Sequence, residues 1–124
     1  MKISQGLKTT FLIHFIVALL FGLGFLFMPV LVGSWYGLNV QEPDTYRLLG
    51  AVMLGFAVSS WFAYRATDWE SVRIVVVMEL VWTILGTLVL LYALLFAGFP
   101  ALGWLNAVIL GAFAIAFGRF YFQK

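Results

Sequence analysis

Few side chains in this chain could do chemistry, and they fall into two groups. The first centres on Glu79, which lies in "VVVMELVWT" with no basic residue within four positions. His14, the one histidine of the chain, can join it, as can Ser59, Ser60 and Thr83. A carboxyl group beside an imidazole can hold or pass a proton, with hydroxyls as relays. The second group is Arg47 with Asn106, Glu42 and Asp44. A guanidinium near an amide and two acids can recognise an anion or a lipid headgroup, or simply pair with its neighbours.

Other chemistry is excluded by residue type. There is no Cys, so disulfides, thiolate metal sites and thiol catalysis are out. A single His makes a poor metal or haem site, because such sites need several ligands. H-E-x-x-H, G-x-S-x-G and a Gly-rich loop ending in Lys are all missing. No enzyme activity and no cofactor are expected.

The elements that hold these residues follow from composition. The chain has 124 residues, 65% hydrophobic and 10% charged. Mean hydropathy is +1.09. A domain this small exposes much of its surface, and these residues are too apolar to face water. Its apolar runs suffice for helices of ~20 residues, the length that crosses a bilayer. The expected fold is all-α: an antiparallel four-helix transmembrane bundle forming a single domain. The spans are expected at about 7–28, 45–64, 71–97 and 101–122, the second opened by Asp44 as N-cap, the third starting near Ser71. A segment at about 30–43 is expected to lie along the outer interface. The N-terminal apolar stretch is too long for a signal peptide's core and reads as an uncleaved span.

Each span carries a row of small or polar residues at four-residue spacing. These rows are Thr10, His14, Ala18 and Gly22; Arg47, Ala51, Gly55, Ser59 and Ala63; Glu79, Thr83 and Thr87 with Gly86; and Gly103, Ala107 and Gly111. Small residues let helices approach closely where hydrophobicity cannot drive association. The rows are therefore expected to face one another, with Gly22, Ala51, Gly55, Gly86, Ala107 and Gly111 as packing positions. At ~1.5 Å of rise per residue, His14 lies roughly 10 Å and Glu79 roughly 12 Å into their helices, with Ser59 and Ser60 at about the same level. A charged side chain at mid-membrane costs ~2.5–3.5 kcal/mol. Taking up a proton or pairing with His14 reduces that cost, so a His14–Glu79 contact is expected. The outer group, Arg47, Asn106, Glu42 and Asp44, forms a second polar layer. Trp82, near mid-membrane, is expected to pack or face lipid.

Charge sets the orientation. Four spans put both ends on one side, with Lys2, Lys8, Arg65, Arg73, Arg119 and Lys124, against Arg47 alone on the other. Basic residues accumulate on cytoplasmic flanks, which predicts a cytoplasmic-membrane protein with both termini inside. The basic residues flank spans and form no interleaved patch, so nucleic acid is not an expected partner.

The stretch "WYGLNVQEPDTYRLLGAVMLGFAVSSWFAYR" resembles a class of small prokaryotic four-span membrane proteins. They share a Pro closing the first span, an outer Tyr-Gly, then Arg-Leu-x-Gly-Ala opening the second. The matching positions are Pro29, Tyr36, Gly37, Arg47, Leu48, Gly50 and Ala51. The resemblance covers about half the chain and implies a fold and topology, since that class has no settled activity. The size is also similar to that of small multidrug transporters, whose membrane acid lies in the first span.

Two functional expectations result. The leading one is a structural or accessory protein of the lipid bilayer, associating through its small-residue seams with itself or with a larger membrane complex. The alternative is a proton-coupled carrier, or a protein binding a lipid or small lipophile, with Glu79 as titrating group. For each polar residue a plain role stands beside the functional one: Glu79 and His14 can bridge helices, and Arg47 can snorkel.

Overall fold

The computed structural model describes residues 1–123; Lys124, counted above among the basic flank, lies outside them. Among the described residues the architecture is an all-α bundle of five helices in the order α1 (Gln5–Phe27), α2 (Pro29–Trp35), α3 (Pro43–Arg65), α4 (Trp69–Phe96) and α5 (Gly103–Phe122). All but α2 are long and apolar enough to cross a membrane. Large apolar side chains cover their outer faces, among them Ile74, Phe96, Val108 and Ile115, each at least two-thirds exposed. Outward faces of this kind define a multi-pass membrane protein, since water would penalise them heavily.

Local chemistry sets the helix ends. Ser4 caps α1, its hydroxyl accepting from the Leu7 N–H at 3.2 Å. Pro29 and Pro43 each open a helix, α2 and α3, where a missing N–H costs nothing. Asp44 is therefore inside the first turn of α3 and not its cap, because Pro43 already fixes the start. Asp68 caps α4, accepting from the Ser71 N–H at 3.0 Å and from its hydroxyl at 2.7 Å, so α4 begins at Trp69, two residues before the expected Ser71. Its carboxyl is held below the usual range by these two bonds. The segment after the first span contains a short helix, α2, ended by a turn at Gly37, whose φ of 74° suits glycine.

The long helices pack as two close pairs, α1 with α3 and α4 with α5. Gly50 makes the closest approach to another helix's backbone: a Cβ there would sit 2.5 Å from the Leu26 nitrogen and 2.7 Å from the Gly22 carbonyl oxygen. Farther along, His14 meets Ser60, and Ile3 N–H donates to the Thr67 carbonyl. Contact positions thus rise along α1 as they fall along α3. In the second pair, Gly111 abuts Thr87, Gly86 abuts Leu110 and Gly118 abuts Leu80.

The expected row on α3 is corrected. Ala51 and Gly55 are exposed, and a Cβ on Gly55 would meet open space. The buried face carries Gly50, Ala57, Ser60 and Ala63. Ala63 of the expected row is buried, whereas Arg47, Ala51 and Gly55 are exposed; the helix turns Gly50 inward because only glycine allows the two backbones to touch there. The rows on α1 and α4 do face inward, as do Gly103 and Ala107 on α5, with Gly111 half-buried.

The two pairs join at the end that holds the N-terminus. Phe11 and Phe117 lie 5.4 Å apart, and Leu7, Val72, Val76 and Phe113 complete a core there. Ile3 N–H donates to Thr67 in the α3–α4 loop and the Met1 carbonyl accepts from the N–H of Trp69 at the start of α4, which anchors the chain start against that core.

Candidate functional site

His14, Ser60 and Glu79 meet in the middle of the bundle, one each from α1, α3 and α4. His14 is 4% exposed and the other two are fully buried. His14 Nδ1 lies 2.8 Å from Ser60 Oγ. Ser60 Oγ donates to Glu79 Oε1 at 3.4 Å, and His14 Nε2 lies 3.0 Å from Glu79 Oε2. Phe113 and Phe117 of α5 present ring edges to the imidazole, with centroids at 4.8 and 5.9 Å.

The geometry allows a fully paired set of protons. With the Ser60 hydroxyl donating to Glu79, Ser60 Oγ accepts from His14 Nδ1–H in the matching tautomer. Between Nε2 and Oε2 one proton then suffices. Without it, Oε2 would be a buried oxygen lacking any hydrogen-bond partner. With it, the triad is neutral overall whichever of the two atoms carries the proton. A neutral triad is the arrangement that an apolar surrounding favours. Thr83 does not join it: its hydroxyl donates to the Glu79 carbonyl oxygen at 2.6 Å, one turn back along its own helix. Ser59 is also outside the layer, since its hydroxyl returns to the Phe56 carbonyl at 2.9 Å. Ser59 and Ser60 differ by ~100° around the helix, and only one can face α1 and α4.

The outer group does not assemble into one layer. Arg47 pairs with Asp44 at 2.7 Å, both exposed, an arrangement worth little in stability. Glu42 is exposed before the α3 start and makes no side-chain cap. Asn106 instead accepts from Tyr36, whose hydroxyl donates to Oδ1 at 2.6 Å. Burial pushes the Tyr36 phenol up, with the Asn106 bond opposing, so it stays a donor at neutral pH. That bond ties the end of α2 to α5 and so links the two helix pairs at the end far from the N-terminus.

Between the triad and this tie lies a cavity of about 400 Å³. Its volume is in the range of sites for drug-sized ligands, ~300–1,000 Å³. α3 and α4 touch through Ser60–Glu79 and through Phe56 and Trp82, whose rings are 5.2 Å apart. Beyond these contacts the space between the pairs is the cavity. His14 closes its inner end, Phe56 and Trp82 its lower walls, and Tyr36 and Asn106 its far end. Leu49 of α3 and Val89 of α4 line it and are also 40% and 66% exposed, which marks an opening between those two helices.

The His14–Glu79 contact is legible in the sequence, whereas the cavity and the role of Tyr36 are not. Trp82, expected to pack or face lipid, packs on Phe56 and walls the cavity. Its apolar position beside Gly86 was the available signal. Among the described residues no cluster of His, Asp or Glu could hold a metal ion. Compared with known families, with characterised proteins and with solved structures, the chain shows no significant match in any of the three.

Proposed function

We propose that the protein is a small multi-pass membrane protein that holds a membrane lipophile between its two helix pairs. The observation that carries this reading is the cavity, walled by aromatic and aliphatic side chains and open sideways between α3 and α4. Bundles packed for support alone fill their interior to crystal-like density, and an unfilled space this size forgoes many contacts. No enzyme activity is part of the proposal. The membrane is the cytoplasmic one, with both termini inside. Support comes from Lys2, Lys8, Arg65, Arg73 and Arg119, which gather at the end where the N-terminus docks. The reversed order of contacts within each pair supports an antiparallel arrangement.

The experiment reads the cavity through Trp82. In a variant whose other four Trp residues are replaced by Phe, a brominated single-chain lipophile should quench Trp82 fluorescence and saturate. Adding Leu110→Phe, which places a ring in the cavity, should weaken that quenching severalfold. Quenching that rises without saturation, and equally in both variants, would reduce the cavity to an unfilled packing defect.

A second reading has its own observation. The exposed Ala51 and Gly55 and half-buried Ser59 leave a smooth small-residue face on α3. Such faces suit close helix–helix association in lipid, so an accessory protein that assembles with itself or a larger complex uses α3 as its contact. Crosslinking in membranes, wild type against Gly55→Leu, tests this: a dimer band that survives the substitution removes α3 from the interface.

A further inference from the structure

We propose that the occupant of the cavity is an uncharged single-chain lipophile, held with its polar head at Asn106 and its tail toward Trp82 and Phe56. This inference rests on the lipophile-binding reading and assigns the ligand's chemical class, its orientation and its route.

The class follows from charge. Among the described residues lining the cavity none is a Lys, Arg, Asp or Glu. His14 is the one titratable base there, and both its nitrogens are already engaged by Ser60 and Glu79. The nearest cation on α3, Arg47, is spent on Asp44 at the exposed surface. An ionised headgroup would enter with nothing to compensate it, at a cost that outweighs the gain from burying its chain. A neutral hydroxyl, carbonyl or ester fits without that penalty.

Orientation follows from where the polar atoms are. Asn106 uses Oδ1 to accept from Tyr36, and its amide N–H₂ has no protein partner among the described residues. An acceptor oxygen on the ligand can take one of these N–H donors without breaking the Tyr36 bond. The opposite end presents the carbon faces of Phe56 and Trp82 and the edge of His14; the Trp82 indole N–H, which has no protein partner among the described residues, is buried and gives the cavity almost no surface. From Tyr46 to Phe56 the lining runs ten residues along α3, or ~15 Å, which sets the length of chain that can be sheltered. The route follows from exposure: Leu49 and Val89 border the opening on helix faces that meet hydrocarbon, so the ligand arrives sideways from the bilayer.

The test uses three photoreactive probes with the same alkyl chain and a diazirine at its far end: an alcohol, an alkyl sulfonate and the plain hydrocarbon. Each is irradiated with the full-length protein in liposomes, and labelled residues are mapped by mass spectrometry. The alcohol should label Phe56 or Trp82, and the sulfonate should not. Asn106→Leu should weaken alcohol labelling about three- to tenfold, the worth of one neutral hydrogen bond. It should leave hydrocarbon labelling unchanged. Tyr36→Phe, which removes the tie but keeps the Asn106 donors, should retain alcohol labelling, so a folding defect in Asn106→Leu does not decide the matter. Sulfonate labelling of Phe56 or Trp82 would overturn the assigned class while leaving lipophile binding intact. Alcohol labels confined to Tyr36 and Leu38 would overturn the orientation. No label on any lining residue from any probe would remove both this proposal and the reading beneath it.

Discussion

Gly50 and Gly55 stand five residues apart on one helix, and the structure predicts opposite outcomes when each becomes Ala. At Gly50 the new methyl would lie 2.5 Å from the Leu26 nitrogen, 2.7 Å from the Gly22 oxygen and 3.0 Å from the Phe25 carbonyl carbon. Relaxed contacts of this kind are ~3.5–4.0 Å, so α1 and α3 must separate by roughly 1 Å. The three atoms are backbone, and no rotamer change relieves them. Overpacking costs ~1–3 kcal/mol, and rigid neighbours place this site toward the upper end. Higher helix propensity returns up to ~1 kcal/mol, leaving a net loss of ~1–2 kcal/mol. At Gly55 the methyl meets nothing, so only the propensity gain remains. Reversible unfolding by SDS in mixed micelles, followed by far-UV circular dichroism, measures both. Gly50→Ala should fall ~2–3 kcal/mol below Gly55→Ala. Equal stabilities, or a larger loss at Gly55, would refute the assignment of the α1–α3 seam.

The remaining predictions concern the triad and a helix end. Glu79→Gln can donate to His14 Nε2 and accept from Ser60, so its stability should stay within ~0.6 kcal/mol of wild type, whereas Glu79→Leu strands both partners and should cost ~1–3 kcal/mol. The same unfolding assay decides, and a Gln variant as damaged as the Leu variant would show that the layer needs an ionised pair. Asp68→Ala should fray the start of α4, seen as faster amide exchange at Ser71. Because the Ser71 bonds hold this carboxyl below its ordinary value, the protection is complete above that value and is lost as pH falls through the lower, folded one. Protection that instead declines as pH rises would contradict the cap.

How much of this was legible in the sequence depends on whether one helix or several had to be known. Span positions came from hydropathy and Pro, and rise per residue was enough to bring His14 and Glu79 to one level. The phase of α3 was not legible, because Ala51–Gly55–Ser59 and Gly50–Ala57–Ser60 are both rows of small residues. What chooses between them is contact of Gly50 with the α1 backbone, which no periodicity reports. The choice between Ser59 and Ser60 followed from that phase. The Tyr36–Asn106 bond joins residues 70 apart through a turn at Gly37, beyond reach of spacing arguments. The cavity was hidden for a related reason: it exists only because the two pairs converge at the triad and part beyond it. Small residues on a helix mark close packing and open space alike.

Native mass spectrometry of the protein released from mild detergent weighs the occupant directly. The account predicts one neutral lipophile per chain on the wild type, and its loss from Met53→Trp, where an indole fills the cavity. A wild-type chain that is always bare, or an adduct kept in full by Met53→Trp, would contradict it.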